Sequence, residues 1–348
     1  MSRMTDFTVP STVPGRTLHA FCCEPEGEVR AVLQLSHGMV EFIDRYKPLA
    51  EYLAGQGIVV VGHDHLGHGD TAQAGEHGHY GEKDGRFHLL DDLHTMNSLL
   101  HERFPGLPII LYGHSMGSFY ARWYAEKWPE SITALIISGT AGPSVMNAIG
   151  QRLAALIAAV KGNDAVSPLM VNLNFGSYCK RIPDAASPNA WLSRDTQVVR
   201  DYDADKLCTF SFTAGTYREM LATLNHVSRK SWAEGIAKDL PILLIAGDAD
   251  PVGNYGAGVR TVWAMLGDAG VQDLRGCPPR TTQRNQPSGG IRLRPDLDRI
   301  PYLNLFYIAL SRILGLYRGF FILPIDNAIP RVYYCIRCLT QAYRRQPT

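Results

Sequence analysis

The chain has 348 residues, of which 45% are hydrophobic and 19% charged, and its formal net charge is +1. This length allows one large core, or a core domain with a smaller insertion. The nearly balanced charge gives no reason to expect a nucleic acid as partner, and no uninterrupted apolar run reaches the length of about 20 residues that spans a bilayer. Residues 1–14 lack the basic and apolar regions of a secretory signal, so we expect a cytoplasmic protein with reduced cysteines.

The charge is distributed unevenly along the chain. Residues 274–348 contain 12 Arg and 3 Asp but no Lys, Glu or His, so this segment carries +9 and residues 1–273 carry −8. Because a natural domain rarely lacks Lys and Glu together, we treat 274–348 as an atypical C-terminal tail.

Short apolar strands alternate with amphipathic helices over residues 1–142. This alternation indicates an α/β fold whose mostly parallel central sheet is covered by helices on both faces. The predicted strands are Ala31–Ser36, Ile58–Val61, Ile109–Tyr112 and Ala134–Ser138, and the predicted helices are Tyr46–Ala54, His88–Phe104 and Met116–Trp128.

The alternation stops at residue 143 and resumes near residue 236. Residues 143–235 contain no clear strand but include candidate helices such as Val145–Val160 and Tyr217–Leu224. A strand at Ile242–Ala246 and a helix at Ala257–Leu266 then continue the core over residues 236–273. We therefore predict that 143–235 is a helical lid, inserted over the active-site edge with apolar stretches such as 169–173 on its inner face.

The pentapeptide Gly113-His114-Ser115-Met116-Gly117 stands between a predicted strand and a predicted helix. This G-x-S-x-G pattern is typical of a nucleophile elbow, where glycines allow a sharp turn that exposes the serine hydroxyl. The same pattern can arise by chance in a glycine-rich loop, but the strand before it and the helix after it favour the catalytic interpretation. We predict Ser115 as the nucleophile of an α/β-hydrolase fold.

Two backbone amides are candidates for the oxyanion hole. Met116 directly follows the nucleophile and begins a helix, whose N-terminal amides point at developing negative charge. His37-Gly38-Met39 follows the first strong strand, and in this architecture the loop at that position supplies the second donor. We therefore assign the oxyanion hole to the amides of Met39 and Met116.

Asp250 is the candidate acid of a catalytic triad. It belongs to Asp248-Ala249-Asp250-Pro251, which follows the strand Ile242–Ala246. A carboxylate at that strand end can orient a histidine and stabilise its cationic form. Asp248 is better suited to capping the turn, and a turn role for both aspartates remains the alternative.

The cluster His63-Asp64-His65-Leu66-Gly67-His68 raises the alternative of a metal-dependent hydrolase. In a metallo-β-lactamase-like site two histidines precede the Asp-His pair, whereas here the aspartate lies between the first two histidines. The cluster is therefore better explained as a polar turn near the pocket. We predict neither a metal nor a cofactor.

Residues 31–273 resemble the monoglyceride lipase, lysophospholipase and serine-aminopeptidase-like branch of the α/β-hydrolases. The resemblance implies hydrolysis of a single-chain, lipid-like carboxylic ester without a cofactor, with possible transient contact with a lipid surface but no integral membrane segment. The motifs that carry it are HGMVEFIDRY (37–46), DHLGHGDT (64–71), GHSMGSFYAR (113–122) and GDADPVG (247–253), with FGSYCKRI (175–182), WLSRD (191–195) and LCTFSFTAG (207–215) in the inserted segment.

The chain departs from this pattern because no histidine follows Asp250. Reading the codons of residues 280–287 from their second base permits Ala-Arg-His-Asn-(Glu or Ala)-Thr-Asn-Arg, which resembles the missing histidine loop. The tail is then out of frame, and the alternative is a divergent C-terminus.

His226 lies in the inserted segment and is expected at its surface. We expect an impaired serine hydrolase, with a non-catalytic binding protein or remnant as the alternative, and a tail that packs poorly.

Overall fold

The computed structural model describes residues 2–81, 83–247 and 249–267, together with the backbone of 332–337. The strands are β1 Ser2–Pro10, β2 Thr17–Pro25, β3 Ala31–Ser36, β4 Ile58–His63, β5 Ile109–His114, β6 Ala134–Ser138, β7 Ile242–Gly247 and β8 Val332–Arg337. The helices are α1 Lys47–Ala54, α2 Gly85–Arg103, α3 Met116–Lys127, α4 Val145–Lys161, α5 Pro168–Phe175, α6 Thr196–Ala204, α7 Ala214–Val227, α8 Lys230–Gly235 and α9 Ala257–Gly267.

These strands form one sheet in the order β1-β2-β4-β3-β5-β6-β7-β8. The pairs from β4 through β3, β5 and β6 to β7 are parallel, which confirms the mostly parallel sheet. Helices cover both of its faces. In β3, Leu33 packs in one cluster with Leu53 of α1, whereas the adjacent Val32 packs in another with Met96 of α2. Because successive strand residues point to opposite faces, this placement requires the continuous apolar strands seen in the sequence.

The hairpin of β1 and β2 was not predicted. The two strands pair antiparallel from Ser2–Pro25 to Pro10–Thr17, and β2 joins the sheet by pairing antiparallel with β4. Most residues of β1 are at least partly exposed, so its sequence is largely polar and lacks a continuous apolar signal. Its extended conformation depends on pairing with β2, which a local sequence pattern does not record.

The inserted segment, residues 143–235, contains α4 to α8. Helix α7 packs against α3 and against α4, so the segment is joined to the core through the helix that follows Ser115. An isolated bridge links Val166 to Thr213. In the predicted apolar stretch 169–173, the side chain of Met170 is buried, while those of Leu169 and Leu173 are about half exposed.

Val332–Arg337 is the described part of residues 276–348, the segment expected to pack poorly, and it forms a strand. This segment pairs antiparallel with β7, from Ile242–Arg337 to Gly247–Val332. Strand β7 would otherwise present unpaired N–H and C=O groups at the edge, and the sequence VYYCIR is rich in strand-forming residues. The rest of 276–348 lies outside the described residues, as does Asp248.

Within the part of the chain described above, none of the helices is both long and apolar enough to traverse a bilayer.

Candidate active site

Ser115 lies on the sharp turn between β5 and α3. Its backbone has φ 49° and ψ −118°, a conformation that costs a non-glycine residue about 1–3 kcal/mol. The turn is anchored where the Ser115 amide donates to the Ser138 carbonyl oxygen at the end of β6, at 2.8 Å. A side chain at Gly117 would place Cβ 2.1 Å from the Ser36 carbonyl oxygen, so α3 can approach β3 only without one. The local geometry is that of a nucleophile elbow.

The loop that carries Met39 approaches Ser115 through Gly38. A Cβ built on Gly38 would lie 3.2 Å from the Ser115 Cβ. The neighbouring His37 is fully buried and its Nε2 accepts the His65 amide at 3.0 Å, so its proton resides on Nδ1 and is donated to the Gly38 carbonyl at 2.8 Å. In a trans peptide the carbonyl and the amide point in opposite directions. The Met39 amide, which belongs to that peptide, therefore points away from the His37 ring.

Further side chains fix the rest of this loop, which we call the oxyanion loop (residues 37–43). The Glu41 carboxylate accepts the Gly38 amide. The His68 Nε2 accepts the Val40 amide at 3.4 Å, and the Asp64 Oδ1 accepts the Ile43 amide at 2.7 Å. No described residue accepts a hydrogen bond from the Met39 amide. The Met39 amide, which follows Gly38 in this loop, is thus uncommitted.

Met116 occupies the first position of α3 and is buried. Its thioether accepts a hydrogen bond from the Tyr80 hydroxyl at 2.7 Å. Its backbone amide belongs to the first turn of the helix, where amides lack intrahelical partners and favour negative charge. The Met116 amide thus directly follows Ser115 in the chain, and the Met39 amide belongs to the peptide after Gly38, the residue that approaches Ser115.

Asp250 lies in the loop after β7, at the same carboxyl edge of the sheet as Ser115. Its Oδ1 accepts the Val252 amide at 2.9 Å. Burial raises the pKa of this carboxyl, and its interaction with His114 opposes the rise. Between the two strand ends lies Gly139, where a Cβ would be 3.2 Å from the His114 Cε1 and 3.6 Å from the Asp250 Oδ2.

The histidines of residues 63–68 are buried, and their rings pack against one another and against His37. Burial lowers the pKa of His63 and His68 to about 4 and that of His65 well below its usual value, so all three are neutral near pH 7. His68 donates from Nδ1 to the Leu66 carbonyl at 3.0 Å, and Asp64 accepts the Asp70 amide at 2.9 Å. This is the polar turn expected from the sequence.

Among the described residues, the group with metal-ligand spacing is Asp6, His19 and Asp44. The Lys47 ammonium lies 3.0 Å from Asp6 and 2.7 Å from Asp44, so both carboxylates already have a cationic partner.

Within the described chain, the polar partners of His114 and His226 are residues other than Ser115. His114 precedes Ser115, and its Nδ1 lies 3.2 Å from the Ser138 hydroxyl. His226 pairs with Glu126 on α3 and packs on Trp123. Glu126 is 11 positions beyond Ser115, which along a helix corresponds to about 16 Å. His226 is therefore a partly exposed interhelical residue, as the sequence suggested.

The sequence profile of the serine aminopeptidase S33 family matches residues 27–274. The chain belongs to this family. Among its relatives are the monoacylglycerol lipase of Mycolicibacterium smegmatis, 27% identical over 65% of this chain and 72% of the relative, and the human monoglyceride lipase, 29% identical over 70% and 73%.

The fold of this S33 family member is similar to that of a thermostable carboxyl esterase from Bacillus coagulans. The TM-score is 0.72 and the identity 28%, over 77% of this chain and 87% of the esterase. The α/β-hydrolase fold and the family predicted from the sequence motifs are thereby confirmed, and the chain is a carboxylic ester hydrolase by family and fold.

From the sequence, Asp64 and His68 were expected only in a polar turn and Glu41 had no assigned role, although all three stand in the motifs that carry the resemblance. Their contacts with the oxyanion loop join residues from the ends of β3 and β4, which are adjacent in the sheet. Polar residues directly after two neighbouring parallel strands are the signal that could have identified them.

Proposed function

We propose that this chain cleaves carboxylic esters of the monoacylglycerol or lysophospholipid type through an acyl-enzyme on Ser115. The observation that carries the proposal is the strained Ser115 turn facing a loop whose Met39 amide is uncommitted. The amides of Met39 and Met116 would hold the oxyanion of the tetrahedral intermediate, and water would then release the acid. Asp250 would orient the histidine that takes the serine proton.

The hydrolase is impaired in this proposal because no histidine follows Asp250 in the sequence. In serine hydrolases, loss of the base lowers kcat by up to about 10⁶-fold, while the oxyanion hole and binding retain roughly 10³–10⁴ over water. The family match ends at residue 274, next to the composition change that we attribute to a shifted reading frame.

An apolar stripe on α4 supports the lipid-like substrate and the proposed contact with a lipid surface. Val145, Ile149, Leu156 and Val160 fall within about 60° of one another around the helix, and each is between 48% and 77% exposed. A helix face of this kind favours an interface with acyl chains. The two relatives named above are lipases of monoacylglycerols by name, which supports the same substrate class. In this proposal residues 143–235 serve as the lid, and the protein is cytoplasmic.

Covalent labelling tests the nucleophile. Because the base is missing, labelling should be slow: with excess fluorophosphonate and long exposure we expect one phosphonyl group on the full chain and none on the Ser115→Ala variant, as measured by intact-protein mass. Ser118→Ala is the matched control, because this serine lies one helical turn away and its hydroxyl is hydrogen-bonded to the Ser115 carbonyl oxygen and the Thr140 hydroxyl. Label on the Ser115→Ala variant would contradict the assignment.

The missing base also favours a second function, a binding protein that keeps the pocket. The two functions differ in turnover. Release of fatty acid from 1-monooleoylglycerol or lysophosphatidylcholine that depends on Ser115 supports the hydrolase. Saturable binding of the same lipids without any release would support the binding protein.

A further inference from the structure

Val40 is the most constrained residue of the oxyanion loop. Its φ is 56°, in the left-handed region that a β-branched side chain strongly disfavours. The residue is buried, and it directly follows Met39. Because Val40 would relax if it were free, its neighbours must hold it in this conformation.

Two side chains hold Val40 from opposite sides of its backbone. On the core side, the His68 ring accepts the Val40 amide. On the other side, the Tyr202 hydroxyl donates to the Val40 carbonyl at 2.8 Å. Tyr202 belongs to α6 in the inserted segment, 162 residues further along the chain.

Tyr202 is itself fixed. Its side chain is buried, and the Arg45 guanidinium lies 5.1 Å from the centre of its ring. Arg45 also lies 3.8 Å from Glu41, whose carboxylate accepts the Gly38 amide. The phenol therefore connects α6 with the loop on which Met39 is located.

We propose that Tyr202 is a positioning residue that makes the oxyanion hole depend on the inserted segment. With α6 in place, Tyr202 holds Val40 in its strained conformation and thereby keeps the Met39 amide directed at the oxyanion. If α6 moves away, the Val40 carbonyl loses its partner and the Met39–Val40 peptide can relax. The inference rests on the proposed function through the role of Met39.

Tyr202→Phe in the full chain tests this inference, because it removes the hydroxyl and leaves the ring beside Arg45. The matched control is Tyr217→Phe on α7, since the Tyr217 hydroxyl has no hydrogen-bond partner among the described residues. Hydrogen–deuterium exchange reports on the loop without requiring turnover. We expect exchange of the amides of residues 38–43 to increase by about two- to tenfold in Tyr202→Phe, and no change there in Tyr217→Phe.

Ester hydrolysis gives the second readout. We expect kcat of Tyr202→Phe to fall by about two- to tenfold with KM nearly unchanged, because the lost contact acts on transition-state stabilisation. Absence of any hydrolysis by the unaltered chain would count against the proposed function, and the exchange result would still decide the role of Tyr202. Unchanged exchange at 38–43, or an equal increase throughout the molecule, would overturn the inference.

Discussion

Steric crowding around single residues defines the nucleophile turn. Ser115 follows Gly113 and precedes Gly117, and both glycines stand where a Cβ would overlap the backbone. The pentapeptide predicted this turn because the requirement is local and leaves its mark on consecutive residues. The left-handed conformation of Val40 was not predicted, since nothing in a valine indicates it. Its cause lies in His68 and Tyr202, which are distant in the sequence.

Gly117→Ala should destabilise the protein and disrupt the elbow. The new Cβ would lie 2.1 Å from the Ser36 carbonyl and 2.4 Å from that of His37, so α3 must move away from β3. We expect the free energy of unfolding in urea to fall by about 1–3 kcal/mol. Gly27→Ala is the control, because no atom lies within 4 Å of the place that its new methyl group would take and the residue is exposed. Equal stability of the two variants would refute the crowding argument.

At the scale of elements, the parallel strands and the helices between them were predictable. Their residues are apolar in continuous runs or at helical spacing, and β3 and β6 begin and end at the predicted residues. The support of the oxyanion loop was not predictable in the same way. It depends on β3 and β4 lying side by side, which brings 37–43 against 63–70. Side-chain contacts of this kind follow from the topology, so they can be read only once the strand order is known.

The buried turn after β4 should make stability sensitive to acid. An unfolded histidine has a pKa of about 6.5, whereas burial lowers the pKa of His63 to about 4. Between these values the unfolded chain binds more protons, so stability falls as the pH falls. Burial raises the pKa of Asp64 to about 6, which makes stability rise as the pH falls over the same interval. The contribution of His63 is therefore obtained by comparing a His63 variant with the unaltered chain, since both contain Asp64.

His63→Leu should therefore lessen the loss of stability in acid. Neither ring nitrogen of His63 has a hydrogen-bond partner within the described chain, so leucine removes no such bond. We expect the decrease in unfolding free energy from pH 7 to pH 5 to be about 1–2 kcal/mol smaller than in the unaltered chain. The same replacement at exposed His101 is the control. An unchanged pH dependence in His63→Leu would contradict the burial of a neutral ring.

At the scale of the whole molecule, the fold up to residue 267 is the one that the candidate catalytic residues require. The family match extends to residue 274, and the later sequence has a different composition and no histidine. Strand β8 shows that part of the later sequence can still complete the sheet through its backbone. Sheet pairing requires only backbone groups and suitable propensity, whereas a general base requires one particular side chain at one position. In the function proposed above, the chain therefore retains the fold of its family while lacking the proton acceptor for Ser115.

The initial rate of p-nitrophenyl butyrate hydrolysis tests this account most directly. It should be measured for the chain as written and for a version whose residues from 274 onward are read in the shifted frame, with Ser115→Ala in each as the blank. Restoring the histidine should raise the Ser115-dependent rate by at least about a thousandfold. Equal rates for the two chains would show that the chain as written does not lack a base, and would contradict the account.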